Sequence, residues 1–141
     1  MVEELFRPTG KEEAAAILEE HREKAKVLAG GTDFTVLLRA GKLKPKIVVS
    51  LNRIEEFRTL NFSPEDGLRI GALVTHSELI ESGDVQERYP ILVEAGKTIA
   101  GPAVRNAASV AGNLCHAAPS ADFAPPLLAL DASVVLFGPN G

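Results

Sequence analysis

Two short stretches of the chain hold residues whose types and spacing could do chemistry. The first is Leu28-Ala29-Gly30-Gly31-Thr32-Asp33-Phe34, where paired glycines separate an apolar, strand-like run from an amphipathic one. A strand that ends in glycines and runs into a helix leaves the first helical N–H groups without acceptors, with no Cβ to keep a ligand away. A nest of such amides holds phosphate oxygens. The Thr32 hydroxyl can add a donor, and an anion held by amides needs no adjacent lysine. The chain has neither a Walker lysine nor a Gly-x-Gly-x-x-Gly fingerprint, which argues against a P-loop or an ordinary Rossmann site. The competing account is a tight turn with Thr32 or Asp33 capping the following helix, and the stretch alone leaves both open.

The second stretch is Ser109-Val110-Ala111-Gly112-Asn113-Leu114-Cys115-His116-Ala117-Ala118-Pro119-Ser120-Ala121-Asp122. Small residues let backbone approach a ligand closely, and Asn113 offers both a donor and an acceptor. Asp122 either accepts from a hydroxyl or caps a following helix. Here the alternative is a loop threading a crowded interior. Four other residues invite a chemical reading, and each has a plainer one. His21 lies among charges on an expected surface helix, and His76 in Leu73-Val74-Thr75-His76-Ser77-Glu78-Leu79 suits capping or local packing. His116 either lines a ligand site or is a buried structural histidine, and Cys115 among small apolar residues reads as a packed thiol. No Ser/His/Asp or paired-carboxylate arrangement asks for acid–base or nucleophilic catalysis, so no catalytic residue is assigned. One cysteine supports neither a disulfide framework nor a multi-cysteine metal site, and no metal is expected.

The elements that must position these stretches follow from pattern. Residues 4–7 form a short strand, Pro8-Thr9-Gly10 breaks it, and 11–25 reads as a helix with Thr9 as N-cap and Ala14, Ala15, Ile17 and Leu18 as its buried stripe. Residues 26–29 make a strand, 33–41 a short helix ending at Gly41, and 46–51 an almost wholly apolar strand of the kind buried on both faces. This is a βαβαβ unit of about 1–60. Residues 61–141 begin a second subdomain. Its opening hairpin, 57–62 with 68–73, is joined by the turn residues Ser63-Pro64-Glu65-Asp66-Gly67. Thr75 or His76 then opens a helix, and Pro90 starts another with Ile91, Leu92, Ala95 and Ile99 along one face until Gly101-Pro102 stops it. The rest is irregular, apart from a short helix at 127–130 and a final strand at 133–137.

With 141 residues, 45% of them hydrophobic and 24% charged, the chain is a globular domain rather than a disordered segment. Its 15 Lys and Arg against 19 Asp and Glu give a formal charge of −4, with basic residues interspersed among acids, so nucleic acid is not an expected partner. No apolar run reaches the ~18 residues of a membrane span, and the acidic start lacks the pattern of a secretory signal. A cytoplasmic location with no membrane partner is the expectation.

In their order and spacing, Leu28–Phe34, Ile70–Leu79, Tyr89–Asn106 and Ser109–Leu136 strongly resemble the FAD-binding subunit or domain of the molybdenum hydroxylases, the xanthine dehydrogenase and carbon monoxide dehydrogenase medium-subunit family. The resemblance runs from about Leu5 to the C-terminus. It implies an α+β, PCMH-type FAD-binding fold and FAD as cofactor. It further implies that Ala29, Gly30, Gly31, Thr32, Asp33 and Phe34 face Ser109, Val110, Ala111, Gly112 and Asn113 across the FAD pyrophosphate, with Asp122 an acceptor near the flavin and its ribityl chain. Where the family usually reads Thr-Ile-Gly-Gly-Asn, this chain has Ser109-Val110-Ala111-Gly112-Asn113, so the backbone at Ala111 must suit an L-residue.

The partners implied are an iron–sulfur subunit and a molybdopterin-binding large subunit. Electrons would pass from the molybdenum site through the iron–sulfur clusters and this FAD to NAD or another acceptor. Family members continue beyond residue 141, so the second subdomain is expected to be incomplete, with self-association at an open sheet edge near 133–137. The alternative function is a truncated, noncatalytic nucleotide-binding or assembly module.

Overall fold

The computed structural model describes residues 2–141. They divide into two compact units, 2–55 with 134–141, and 56–133.

In the first unit, β1 (Glu4–Phe6), α1 (Lys11–His21), β2 (Ala25–Leu28), α2 (Thr32–Arg39) and β3 (Ile47–Ser50) form a parallel sheet of order β1-β3-β2. The βαβαβ pattern is realised. All four residues of β3 are buried, as its central place between two partners requires, whereas the edge strands are half exposed. Register is set by Leu5 opposite Val48 on one side and Val27 opposite Val49 on the other. Helix α1 buries Ala14 and Ala15, with Ile17 and Leu18 only half buried. Its N-cap is Gly10 rather than Thr9, and no side chain caps it; the Thr9 amide instead donates to Glu13 Oε2 at 2.9 Å. His21, expected on a solvated surface, stacks on Phe6 with ring centroids 5.5 Å apart.

The expected strand at 133–137 is absent. β-propensity makes a strand only where a neighbouring chain supplies a ladder, and among the described residues none pairs with this segment. Phe137 lies instead beside α1, with Lys11 Nζ 5.4 Å from its ring centroid. Val134, Val135 and Leu136 are exposed.

The second unit opens with the antiparallel hairpin β4 (Leu60–Ser63) and β5 (Gly67–Ile70). Six short helices follow: α3 (His76–Glu81), α4 (Gly83–Arg88), α5 (Pro90–Thr98), α6 (Pro102–Arg105), α7 (Val110–His116) and α8 (Ala124–Ala129). Their core is Val74, Leu79, Val85, Leu92, Val93, Val110 and Phe123. On α5 the buried face is Leu92, Val93 and Gly96, while Ile91 is exposed, a rotation of the face expected from periodicity. Just after β5, Gly71 packs against the chain entering the hairpin. A Cβ there would lie 2.3 Å from Phe57 O and 2.7 Å from its carbonyl carbon, so no other residue fits without moving backbone.

Candidate functional site

The Ala29–Phe34 stretch lies in the first unit and shapes the start of α2. Gly31 is the N-cap of α2 with φ +78° and ψ 6°, a left-handed conformation that favours glycine, and it makes no side-chain cap hydrogen bond. The alternative in which Thr32 or Asp33 caps the helix is therefore not what forms. Gly31 O accepts from the Thr35 amide at 3.0 Å and from the Thr35 hydroxyl, so the turn is tied to the first turn of α2 through Thr35. Among the described residues, the amides of Thr32, Asp33 and Phe34 find no acceptor, as the first turn of an uncapped helix dictates. A Cβ on Gly31 would sit 2.8 Å from Leu28 Cδ1, pointing into the strand's own side chain. The Asp33 carboxylate shares that turn but is exposed, where water screens its repulsion of an anion.

The Ser109–Asn113 stretch lies in the second unit and starts α7, a helix that sequence reading treated as irregular chain. Alanine and glycine in a row masked it. The available signal was Ser109, whose Oγ caps the helix by accepting from the Gly112 amide at 3.1 Å. A Cβ at position 112 would come within 2.8 Å of that oxygen, so the small residue serves the cap. Ser109 is paired with Thr75 in an isolated antiparallel bridge: the His76 amide donates to Ala108 O at 3.0 Å and the Val110 amide to Val74 O at 3.1 Å. Thr75 caps α3 in a reciprocal box with Glu78. The caps of α3 and α7 thus lie side by side.

Those bonds engage most of the amides of the second stretch. The Val110, Gly112 and Asn113 amides are held by Val74 O, Ser109 Oγ and Ser109 O. Among the described residues, the stretch still offers the Ser109 and Ala111 amides and the Asn113 side chain, whose Oδ1 is buried with no hydrogen-bond partner. Ala111 is helical, so its methyl group strains nothing. A buried amide oxygen without a donor is uncommon in a folded protein, and its acceptor capacity is unused by the described residues.

Asp122 does not cap α8, whose N-cap is Phe123 without a side-chain bond. Its Oδ1 lies 3.3 Å from Thr98 Oγ1, but that hydroxyl also faces Ala95 O at 2.7 Å. A hydroxyl has one proton, and the shorter contact takes it, which leaves the exposed Asp122 carboxylate open as an acceptor. His76 is buried edge-on against Phe123, with centroids 4.9 Å apart, so packing is its role. Cys115 and His116 are exposed at the end of α7, against the expectation of a packed thiol and the option of a buried histidine. Two residues that sequence reading passed over are Arg105, whose guanidinium gathers three backbone carbonyls, and Gly71. Nothing in their local sequence signals either role.

The sequence profile described as "FAD binding domain in molybdopterin dehydrogenase" matches residues 1–141. The chain belongs to that family. Relatives of this FAD-binding domain include the xanthine dehydrogenase FAD-binding subunit of Escherichia coli O157:H7, 38% identical over 118 residues that cover 84% of this chain and 40% of the relative. The carbon monoxide dehydrogenase medium chain of Hydrogenophaga pseudoflava is 37% identical over 140 residues, 98% of this chain and 48% of the relative.

Among solved structures, a carbon monoxide dehydrogenase from Hydrogenophaga pseudoflava that lacks the Mo-pyranopterin moiety superposes with a TM-score of 0.78 at 35% identity, over 82% of this chain and 40% of that one. Quinoline 2-oxidoreductase from Pseudomonas putida 86 gives 0.77 at 28% identity, over 83% and 40%. The chain spans 40–48% of the length of these curated relatives. The fold is the mixed α+β, PCMH-type FAD-binding fold, and FAD is the cofactor of the domain. Each unit, taken by itself, carries groups that fit that cofactor: among the described residues, α2 of the first begins with three amides lacking acceptors, and Asn113 of the second holds a buried acceptor without a donor. No helix among the described residues is long and apolar enough to cross a membrane.

Proposed function

We propose that this FAD-binding domain is the flavin component of a molybdopterin-dependent dehydrogenase, passing electrons from the iron–sulfur clusters of a partner subunit to NAD or another acceptor. A molybdopterin-binding large subunit would supply those electrons and would determine the substrate. Bound FAD supplies the redox chemistry, and the chain supplies binding and orientation.

The observation that carries this reading is the left-handed Gly31 turn, which presents the amides of Thr32, Asp33 and Phe34 without acceptors at the positive end of α2. Ala29, Gly30 and Gly31 bring the backbone to the pyrophosphate. Those three amides donate to its oxygens, and the Thr32 hydroxyl adds a further donor. From the second stretch, Ser109 holds the start of α7 in shape, Ala111 offers its amide, and Asn113 offers its side-chain amide. Val110 anchors the stretch in the hydrophobic core, and the Gly112 amide completes the cap. Asp122 accepts from a ribityl hydroxyl. No residue of the chain moves a proton in this scheme. A cytoplasmic location suits a chain with one free, exposed cysteine.

The test has two steps. FAD is titrated into the purified protein by calorimetry, with the visible spectrum recording uptake. The iron–sulfur and molybdopterin-binding subunits are then added with a reducing substrate, and bleaching of the flavin absorbance is followed. Saturable binding and partner-dependent bleaching are expected. FAD binding without any bleaching by the complete set of subunits would overturn the electron-transfer assignment.

A further inference from the structure

We propose that Arg105 and Asn106 are positioning residues for the Ser109–Asn113 stretch, holding it where it meets the FAD pyrophosphate. The inference rests on the flavin reading above and adds to it the device that sets the shape of this stretch within its own unit.

Helix α6 contains no buried residue, so apolar packing does not determine where it sits. Two adjacent side chains reach from it to different helices. Arg105 Nη1 lies 3.0 Å from Lys97 O, 3.2 Å from Ile99 O and 3.1 Å from Ala100 O. These carbonyls close α5, where the last C=O groups lack helical donors and a positive charge is favoured. Ala100 has φ +42°, an unfavourable backbone for a residue with a Cβ, and the guanidinium on its carbonyl helps hold it there. On the other side, Asn106 Oδ1 accepts from Ser77 Oγ in the first turn of α3.

The backbone continues the same arrangement into the stretch itself. The Arg105 amide donates to Gly101 O at 3.1 Å, the Asn106 amide to Pro102 O at 2.9 Å and the Ala108 amide to Val104 O at 2.8 Å. The Thr75–Ser109 bridge follows at once. Residues 105 and 106 are therefore the polar anchors of a short connection that leads directly to Ser109, and removing one lets α6 shift and carry Ala111 and Asn113 with it.

The experiment uses Arg105→Met, Arg105→Lys and Asn106→Ala. For each, FAD affinity is measured by calorimetry, amide hydrogen exchange is followed across residues 109–113 and across β3, and thermal unfolding establishes that the variant is folded. Arg105→Met is expected to speed exchange at 112 and 113 while leaving β3 protected, and to weaken FAD about tenfold or more, as loss of a supporting contact does at other ligand sites. Arg105→Lys is expected to recover most of both, because three carbonyls converge on one nitrogen and an ammonium carries three donors. Asn106→Ala should move both readouts in the same direction as Arg105→Met, and it decides the matter if the methionine variant fails to fold.

Wild-type exchange and wild-type FAD affinity in a folded Arg105→Met or Asn106→Ala variant would overturn the proposal. So would faster exchange with unaltered FAD affinity, since the two residues would then be structural only. A wild-type protein that takes up no FAD would instead overturn the flavin reading, and with it the ligand half of this proposal. The exchange arm still decides whether the two residues position the stretch.

Discussion

Replacing Gly31 by alanine forces a residue with a Cβ into φ +78° and sets that Cβ 2.8 Å from Leu28 Cδ1. The left-handed backbone costs about 1–2 kcal/mol for an L-residue. Pushing the end of Leu28 off its rotamer adds ~0.5–1.5 kcal/mol. The sum, roughly 1.5–3.5 kcal/mol, is below the ~5–15 kcal/mol of a typical domain, so the variant should fold, with its melting temperature lowered by about 5–15 °C.

The effect on FAD is indirect. The new methyl group points at Leu28 and not at the ligand, so the turn shares the adjustment with the Leu28 side chain and takes the amides of Thr32, Asp33 and Phe34 out of line. Losing one charge-assisted hydrogen bond is worth about 1.5–3 kcal/mol, or roughly 10- to 100-fold in affinity. Calorimetric titration of FAD, made well below the melting temperature, reads this loss directly. Two controls separate the causes. Gly31→Asn tolerates the left-handed backbone, so it should regain stability while binding FAD as poorly as Gly31→Ala. Removing the clash in the double variant Gly31→Ala/Leu28→Ala should restore part of the affinity despite a further loss of stability. A folded Gly31→Ala protein with unchanged FAD affinity would refute the amide nest as the pyrophosphate site.

If the pyrophosphate supplies most of the contacts, ADP should displace FAD at comparable concentration and riboflavin should not; displacement by riboflavin in a fluorescence competition would contradict a phosphate-centred site. Ser109→Ala removes the cap of α7 and should destabilise the protein by about 1 kcal/mol, with faster exchange of the Gly112 amide by NMR; an unchanged Gly112 exchange rate would show that the cap contributes nothing. Gly71→Ala should be far more disruptive than Gly31→Ala, because its Cβ meets the backbone of Phe57 and not the end of a flexible side chain. A melting temperature within about 2 °C of wild type would mean that the two segments separate freely.

The sequence by itself determined the elements whose reasons are local. The βαβαβ order follows from apolar runs alternating with an amphipathic helix, and full burial of β3 could be read from the unbroken apolar run Ile47-Val48-Val49. The hairpin turn at Ser63–Gly67 was equally legible, and the start of α3 was narrowed to Thr75 or His76, because turn and cap chemistry act over a few residues. The paired glycines marked a tight turn into α2, with an amide nest and a side-chain cap both open, since a left-handed turn into a helix favours a residue without a Cβ.

Tertiary structure decided what depends on partners distant in the chain. Whether Val134–Phe137 became a strand depended on a neighbouring strand, which no periodicity reports. The hidden helix α7 stands because Ser109 caps it and Thr75 pairs beside it, a contact across more than thirty residues of sequence. The spent amides of Val110, Gly112 and Asn113, the buried Asn113 oxygen and the three carbonyls around Arg105 belong to the same class. A local pattern specifies which groups a residue carries. Only the packed chain determines which of those groups are already bonded and which remain for a ligand.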